Sequence, residues 1–418
     1  MSKKNGIIKE MGTLAGGNLL AQSITLVAYF ALTRIFSSED YGLYSIFYSY
    51  IDVLIILSTL KYEIAVVKAD DDREAAAVAH FTLRINTIVS VVLLTLATLL
   101  WLTGWLPERF QELGWMVLLI PPMVFLCGTS RVYSFLFNRF HRYGTMATSE
   151  TVNSASAAAL KIGLGLSGVL QAGMPIGTVA GRAVGNIAYR LRLRQLQLPA
   201  TSRSDEKAAA RKHRNFPLYV ATKDFINSLS YNLPFIWLAM YFDHAEIGLF
   251  GLALTFTFRP IHIFNNAFEH VLYARTAEAV RNGLGIRHMT LRFLAVLNAI
   301  ALPLFVCAYF VAEPVFTFFF GGRWSGCGVY VQALLPWIFF MLSSSTMKYI
   351  SNVFSRQRTE FCFYIALLVL RVAAIAIGIH SGDFLTAIRL YAAAGALVFA
   401  SLLLWYLYLV ERYERTPR

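Results

Sequence analysis

Apolar residues in this chain come in long runs rather than in alternation with polar ones. Twelve stretches stand out, at 12–36, 41–67, 78–102, 114–138, 148–170, 173–193, 217–241, 246–272, 291–312, 329–354, 361–380 and 384–410. A helix that crosses a bilayer needs about 20 mostly apolar residues, because hydrocarbon offers the backbone no hydrogen-bond partners. The pattern therefore predicts an all-α polytopic membrane protein with about 12 transmembrane helices. The pair at 148–193 is the least apolar and is rich in Gly and Ala. Lys3, Lys4 and Lys9 lead into a first run too long for a signal peptide and without a clear cleavage site.

Composition agrees. Of 418 residues, 57% are hydrophobic and 15% charged, and the mean hydropathy is +0.56. Soluble domains carry about 25% charged residues, so soluble, disordered and disulfide-rich classes are excluded. A net charge of +13 admits nucleic acid as a partner until the charges are placed. Twenty-four Lys and Arg fall on the side of the N-terminus, eight of them in 190–214. The opposite loops hold only Arg109 and Arg323, with eight acids. That bias puts both termini in the cytoplasm. It makes Arg190–Arg214 a basic cytoplasmic linker near anionic lipid, with no nucleic acid as partner. Cys127, Cys307, Cys327 and Cys362 lack ligand spacing, so no metal site is expected. Gly163–Gly168 matches GxGxxG without a strand before it, and packing of small residues explains it better than a dinucleotide. No Walker A, HExxH or nucleophile-elbow pattern occurs, and no enzyme activity is expected.

The halves repeat. Asp40-Tyr41-Gly42-Leu43-Tyr44 resembles Glu246-Ile247-Gly248-Leu249-Phe250 at an offset of 206, which also carries Tyr62-Glu63 onto Phe268-Glu269. An offset of 214 carries Pro122, Ser130, Asn138 and Arg142 onto Pro336, Ser344, Asn352 and Arg356. Repeats of this kind mark transporters. The expected organisation is an N-lobe at 1–193, the linker at 194–216 and a C-lobe at 217–418. Each lobe holds six helices, and a pseudo-two-fold along the membrane normal relates them.

The run Leu32-Thr33-Arg34-Ile35-Phe36-Ser37-Ser38-Glu39-Asp40-Tyr41-Gly42-Leu43-Tyr44 resembles the first loop of Wzx-type polysaccharide-biosynthesis flippases, in the multidrug/oligosaccharidyl-lipid/polysaccharide (MOP) exporter superfamily. Leu60–Val67 followed by Asp70-Asp71-Asp72 is similar to the second helix and loop of that family, and Phe320–Trp324 to its loop before the tenth helix. The resemblance implies a MATE-like fold in a bacterial inner membrane. It implies a transporter that flips a polyprenyl-diphosphate-linked glycan, such as an O-antigen, capsule or exopolysaccharide unit, to the periplasmic leaflet. Membrane lipids, a glycan polymerase and chain-length machinery are the implied partners. The alternatives are an ion-coupled MATE-like exporter of small molecules, whose cationic substrates would want an acidic cavity, and a membrane glycan polymerase or ligase, which would want longer periplasmic loops.

Charges at membrane depth are functional candidates by default, since each costs several kcal/mol facing lipid. Eleven are basic: Arg34, Lys61, Arg84, Arg131, Lys161, Arg182, Lys223, Arg259, Lys348, Arg371 and Arg389. Five are acidic: Asp52, Glu63, Glu150, Asp224 and Glu269. The surplus suits an anionic cargo. Arg131, Lys223, Arg259, Lys348, Arg34, Lys161 and Arg371 are the candidate cargo ligands; snorkelling to headgroups is the competing reading for those near helix ends. Helical spacing adds the polar stripes Asn18 and Gln22, Asn227 and Tyr231, and His262 and Asn266, which line either a cavity or a helix–helix contact. Asp52, Asp224 and Glu269 are candidates for binding a coupling H⁺ or Na⁺, with structural pairing as the alternative. Glu63 and Glu269 also stand where they would lock loops. No other cofactor is expected.

Overall fold

The computed structural model of the chain describes residues 2–105, 111, 113–282, 284–354 and 356–415. For 2–15, 259, 262–271, 273–275, 277, 278 and 281, the backbone alone is described. Twelve main helices follow one another among the described residues: α1 Ser2–Ile35, α2 Ser38–Thr59, α3 Asp72–Thr103, α4 Ile120–Arg139, α5 Tyr143–Leu166 and α6 Gly173–Leu193. Then come α7 Thr222–Trp237, α8 His244–Arg281, α9 Arg287–Phe320, α10 Cys327–Ser345, α11 Gln357–Ser381 and α12 Phe384–Arg415. No strand occurs among the described residues. The chain is an all-α, multi-pass membrane protein. Among the described residues, eight helical segments are long and apolar enough to cross a bilayer unaided; α5, α6 and α7 are not among them, and the described part of α8 offers the shorter His244–Phe258.

The residues at the helix ends explain where helices begin and stop. Ser37 caps α2: its hydroxyl accepts from the Asp40 N–H at 3.1 Å, and the Asp40 carboxylate accepts from the Ser37 N–H at 2.9 Å. This reciprocal cap satisfies two orphan donors and is the physical content of the Ser37–Asp40 motif. Asp71 caps α3 through its carboxylate alone, which accepts from the Glu74 N–H at 2.7 Å. Gly104, Gly321 and Gly382, all at positive φ, end α3, α9 and α11. The repeat offsets carry the start of α2, Ser38, onto that of α8, His244, and the start of α5, Tyr143, onto that of α11, Gln357.

Two compact units result, Met1–Ser228 and Leu229–Arg418, divided inside α7. In the first, α5 and α6 pack along glycines spaced by four: Gly173, Gly177, Gly181 and Gly185. A Cβ at Gly177, Gly181 or Gly185 would come closer than 3.0 Å to Lys161, Ala157 or Asn153 of α5. Small residues let backbones approach, and this compensates for the low hydropathy of the pair. Gly165 serves the same purpose against Ile35 and Phe36.

The segment 194–216, expected as a linker, folds onto the first unit. Its helix Arg203–Lys212 is clamped to α3 and the bend before it by Arg73–Asp205 (3.0 Å), Arg84–Glu206 (2.8 Å), Lys212–Asp70 (2.8 Å) and Lys212–Glu74 (2.7 Å). Arg84 is thus an ion-pair partner of a buried carboxylate, not a membrane-depth candidate. The Tyr62 hydroxyl donates to the Ala210 carbonyl at 3.2 Å.

Replacing Gly181 by Leu should cost about 1–3 kcal/mol through overpacking, read as a lower melting temperature in detergent. Gly163→Ala, where a Cβ meets nothing within 4 Å, should leave it unchanged. The clamp should also respond to acid. The Ser202 N–H, then the Ser202 hydroxyl and Arg73, hold the Asp205 carboxyl below its usual range. Its contribution is present above the ordinary Asp value of about 3.9 and is lost as pH falls through the lowered one. Protection of the amides over 202–212, with exchange corrected for its intrinsic pH dependence, should be high at pH 7 and fall below about pH 4.

Candidate functional site

Four helices of the first unit bring polar side chains into a membrane-spanning interior. Lys161 of α5 donates to the Tyr44 hydroxyl of α2 at 3.0 Å, and its Nζ lies 4.6 Å from the centre of that ring. Thr178 of α6 sits 3.2 Å from the same hydroxyl. No carboxylate pairs with Lys161 among the described residues. One turn further along α6, Arg182 reaches both oxygens of Glu150 on α5, at 3.2 and 3.3 Å, while its Nε is buried without a partner. Asn186 follows, accepting from Ser130 at 2.6 Å and donating to the Leu126 carbonyl at 2.8 Å. Arg131 of α4 has a buried Nη1 with no hydrogen bond. Ser228 donates to Asp52, at 3.0 Å to its carbonyl and 3.3 Å to its carboxylate.

At the end of α2 the chain turns through two consecutive left-handed residues, Leu60 (φ 50°) and Lys61 (φ 60°). Neither is glycine, so the turn stores local strain. It delivers the Lys61 ammonium to the Asp224 carboxylate of α7 at 2.8 Å. Next to it Glu63, 1% exposed, has one oxygen without a hydrogen-bond partner.

The second unit buries Arg371, at 2% exposure. Its guanidinium lies 4.0 Å from the ring centre of Tyr391 and 4.3 Å from that of Trp337. Nη1 donates to the Ser230 hydroxyl at 3.3 Å and carbonyl at 3.5 Å, while Nε and Nη2 have no partner. Two π-faces substitute for a counter-ion, each worth about 2 kcal/mol when desolvated. Gly395 makes room: a Cβ there would meet Trp337 and come within 3.0 Å of Nη2.

The family described as "Polysaccharide biosynthesis protein" matches residues 31–329. The chain belongs to this family.

Solved structures extend the likeness to nearly the whole chain. An inward-facing multidrug resistance MATE transporter of the MOP superfamily aligns over 95% of this chain and 96% of its own, at 15% identity and a TM-score of 0.68. The lipid II flippase MurJ, in an inward closed conformation, aligns over 96% and 90%, at 11% identity and 0.75. A MOP superfamily transporter from Pyrococcus furiosus, titled for the reverse polarity of its binding pocket, aligns over 98% and 97%, at 13% identity and 0.61. At such identities the likeness establishes the fold. No curated protein matches the sequence.

In this family member the expected site residues scatter. Lys161, Arg131 and Asp52 belong to the polar interior of the first unit, and Arg371 to the aromatic cage of the second. Arg34 and Asn18 are exposed, and Gln22 is half-buried. The α7 stripe does not share one environment: Lys223 is half-buried, Asn227 exposed, and Tyr231 stacks 4.9 Å from Phe258. Asp224 is taken by Lys61. Lys348 is half-buried, at the start of the short helix Tyr349–Val353. Arg259, His262, Asn266 and Glu269 lie outside the described side chains. Tyr44 and Thr178 were missed, and Arg182 and Glu150 were left off the site; Thr178 and Arg182, spaced i, i+4 on α6, carried the available signal.

The Arg182–Glu150 pair should be coupled. Arg182→Gln or Glu150→Gln alone should destabilise the protein more than the double substitution does. The coupling from a double-mutant cycle on melting should be about 1–3 kcal/mol.

Proposed function

We propose that the chain flips a polyprenyl-diphosphate-linked oligosaccharide, the repeat unit of an O-antigen, capsule or exopolysaccharide, across a bacterial inner membrane by alternating access. The observation that carries this reading is the pair of cations in the first unit's interior, Lys161 and Arg131, that no carboxylate neutralises among the described residues. A cation kept at membrane depth without a counter-ion is costly, about 2.5–3.5 kcal/mol on insertion scales. Its retention makes sense where a cargo supplies the negative charge. Arg131 offers a fork of donors for phosphate oxygens and Lys161 a compact point charge; Tyr44, Thr178, Ser130 and Asn186 add hydroxyl and amide groups suited to sugars.

Family membership supports the glycan, and the shared fold of the lipid II flippase supports a lipid-linked one. The distribution of Lys and Arg supports cytoplasmic termini and hence movement toward the periplasm. With Asp224 engaged by Lys61, Asp52 is the carboxylate we assign to a coupling H⁺ or Na⁺. The reading is transport without chemistry: the glycan crosses intact, and polymerase and chain-length proteins act on it afterwards.

Purified protein in vesicles loaded with lipid-linked oligosaccharide should move it between leaflets with its mass unchanged. Lys161→Met combined with Arg131→Gln should slow that movement at least about ten-fold, as expected when charge-assisted phosphate contacts are lost, at undiminished melting temperature. Unchanged flipping by the double variant would overturn the diphosphate-site reading, and a change in glycan mass would favour an enzyme.

A further inference from the structure

The second unit carries a groove that the flippase reading does not use. It has a volume of about 540 Å³ and lies where α9 begins, lined by Gly285, Arg287, His288, Leu291, Arg292, Ala295 and Glu414. That volume is in the range that holds a small ligand. Its one acid is turned to the backbone: a Glu414 oxygen accepts from the Ile286 N–H at 2.7 Å and the Arg287 N–H at 3.0 Å. Arg287 is loosely held, 3.8 Å from Glu411, which Arg415 already engages at 3.0 Å. Arg292 and His288 are exposed and make no hydrogen bond or ion pair among the described residues. The mouth of the groove is therefore cationic.

The floor is not. Leu291 and Ala295 stand on the face of α9 that continues through Ala299, Leu302 and Val306, all exposed and apolar. Positions spaced by three and four make one stripe along the helix. A charged mouth joined to a bare apolar track fits a molecule with an anionic head and a hydrocarbon tail. Basic pockets at the cytoplasmic ends of membrane helices are suited to anionic headgroups, and the positive-inside distribution puts this end in that leaflet.

We infer that this groove is a binding site for an anionic phospholipid. Arg287, His288 and Arg292 hold the headgroup phosphate, and one acyl chain lies along Leu291, Ala295 and Leu302. The site belongs to the second unit and is separate from the cations assigned to the cargo, so it stands whether or not the flippase reading does.

The test uses the full chain in detergent with palmitoyl-oleoyl phosphatidylglycerol, phosphatidylcholine or inorganic phosphate, followed by native mass spectrometry. Phosphatidylglycerol should be retained, phosphatidylcholine far less, and inorganic phosphate should not compete for the site. Arg287→Gln with Arg292→Gln should weaken retention about thirty-fold, at about five-fold per charge. Arg203→Gln with Arg211→Gln, an equal charge loss elsewhere, should not change it. Ala295→Trp, which fills the floor and leaves the charge intact, should also reduce retention. The proposal is overturned by undiminished phosphatidylglycerol binding in the Arg287/Arg292 variant or in Ala295→Trp. Retention of phosphatidylcholine equal to phosphatidylglycerol, or competition by inorganic phosphate, would also overturn it.

Discussion

The close approach of α5 and α6 along Gly173, Gly177, Gly181 and Gly185 is the contact on which the interior of the first unit depends. Neither helix is apolar enough to be held in lipid by hydropathy alone, so their stability rests on packing. The same approach sets the chemistry. Glu150 and Lys161 stand on α5, and Thr178 and Arg182 on α6 one turn apart. Without the glycines, the helices would stand too far apart for Arg182 to reach Glu150 or for Thr178 to share Tyr44 with Lys161. Polar helices and a polar site are thus one fact seen twice: the residues that make α5 and α6 poor membrane spans are those they bring together.

Charge in the first unit is sorted by position. Around the Arg203–Lys212 helix acids and bases are matched, as in Arg84 with Glu206, Arg73 with Asp205 and Lys212 with Asp70 and Glu74. Lys61 with Asp224 continues that pattern at the base of α7. Towards the interior the pairing becomes incomplete, with Arg182 paired to Glu150 but, among the described residues, Lys161 and Arg131 without acids. Paired charges hold segments in place.

Much of the fold was legible because hydropathy reports directly on the length of a span, and the repeat offsets even placed the starts of α8 and α11. The four-residue glycine spacing on α6 was equally visible, yet small residues register in hydropathy only as weakness. The site was less legible. Whether a Lys at membrane depth meets an acid depends on helix rotation, and Asp224 could not be assigned to Lys61, 163 residues away, without the turn at Leu60–Lys61. The α7 stripe shows the same dependence: its periodicity is genuine, but the residues around α7 change along its length, so Asn227 and Tyr231 meet different surroundings. Arg371 was conspicuous as a charge, but its partners, Trp337 and Tyr391, are ordinary hydrophobes on other helices until the fold brings them alongside.

That cage bears on how the protein is made. An arginine in mid-span is penalised while its helix stands alone in the bilayer, and α11 has the highest mean hydropathy of the eight apolar spans, 2.5. Its excess of aliphatic residues lets it enter the membrane despite Arg371. The guanidinium is housed by helices on both sides of α11 in sequence, Trp337 of α10 before it and Tyr391 of α12 after it, so the cage is complete only when all three are in place.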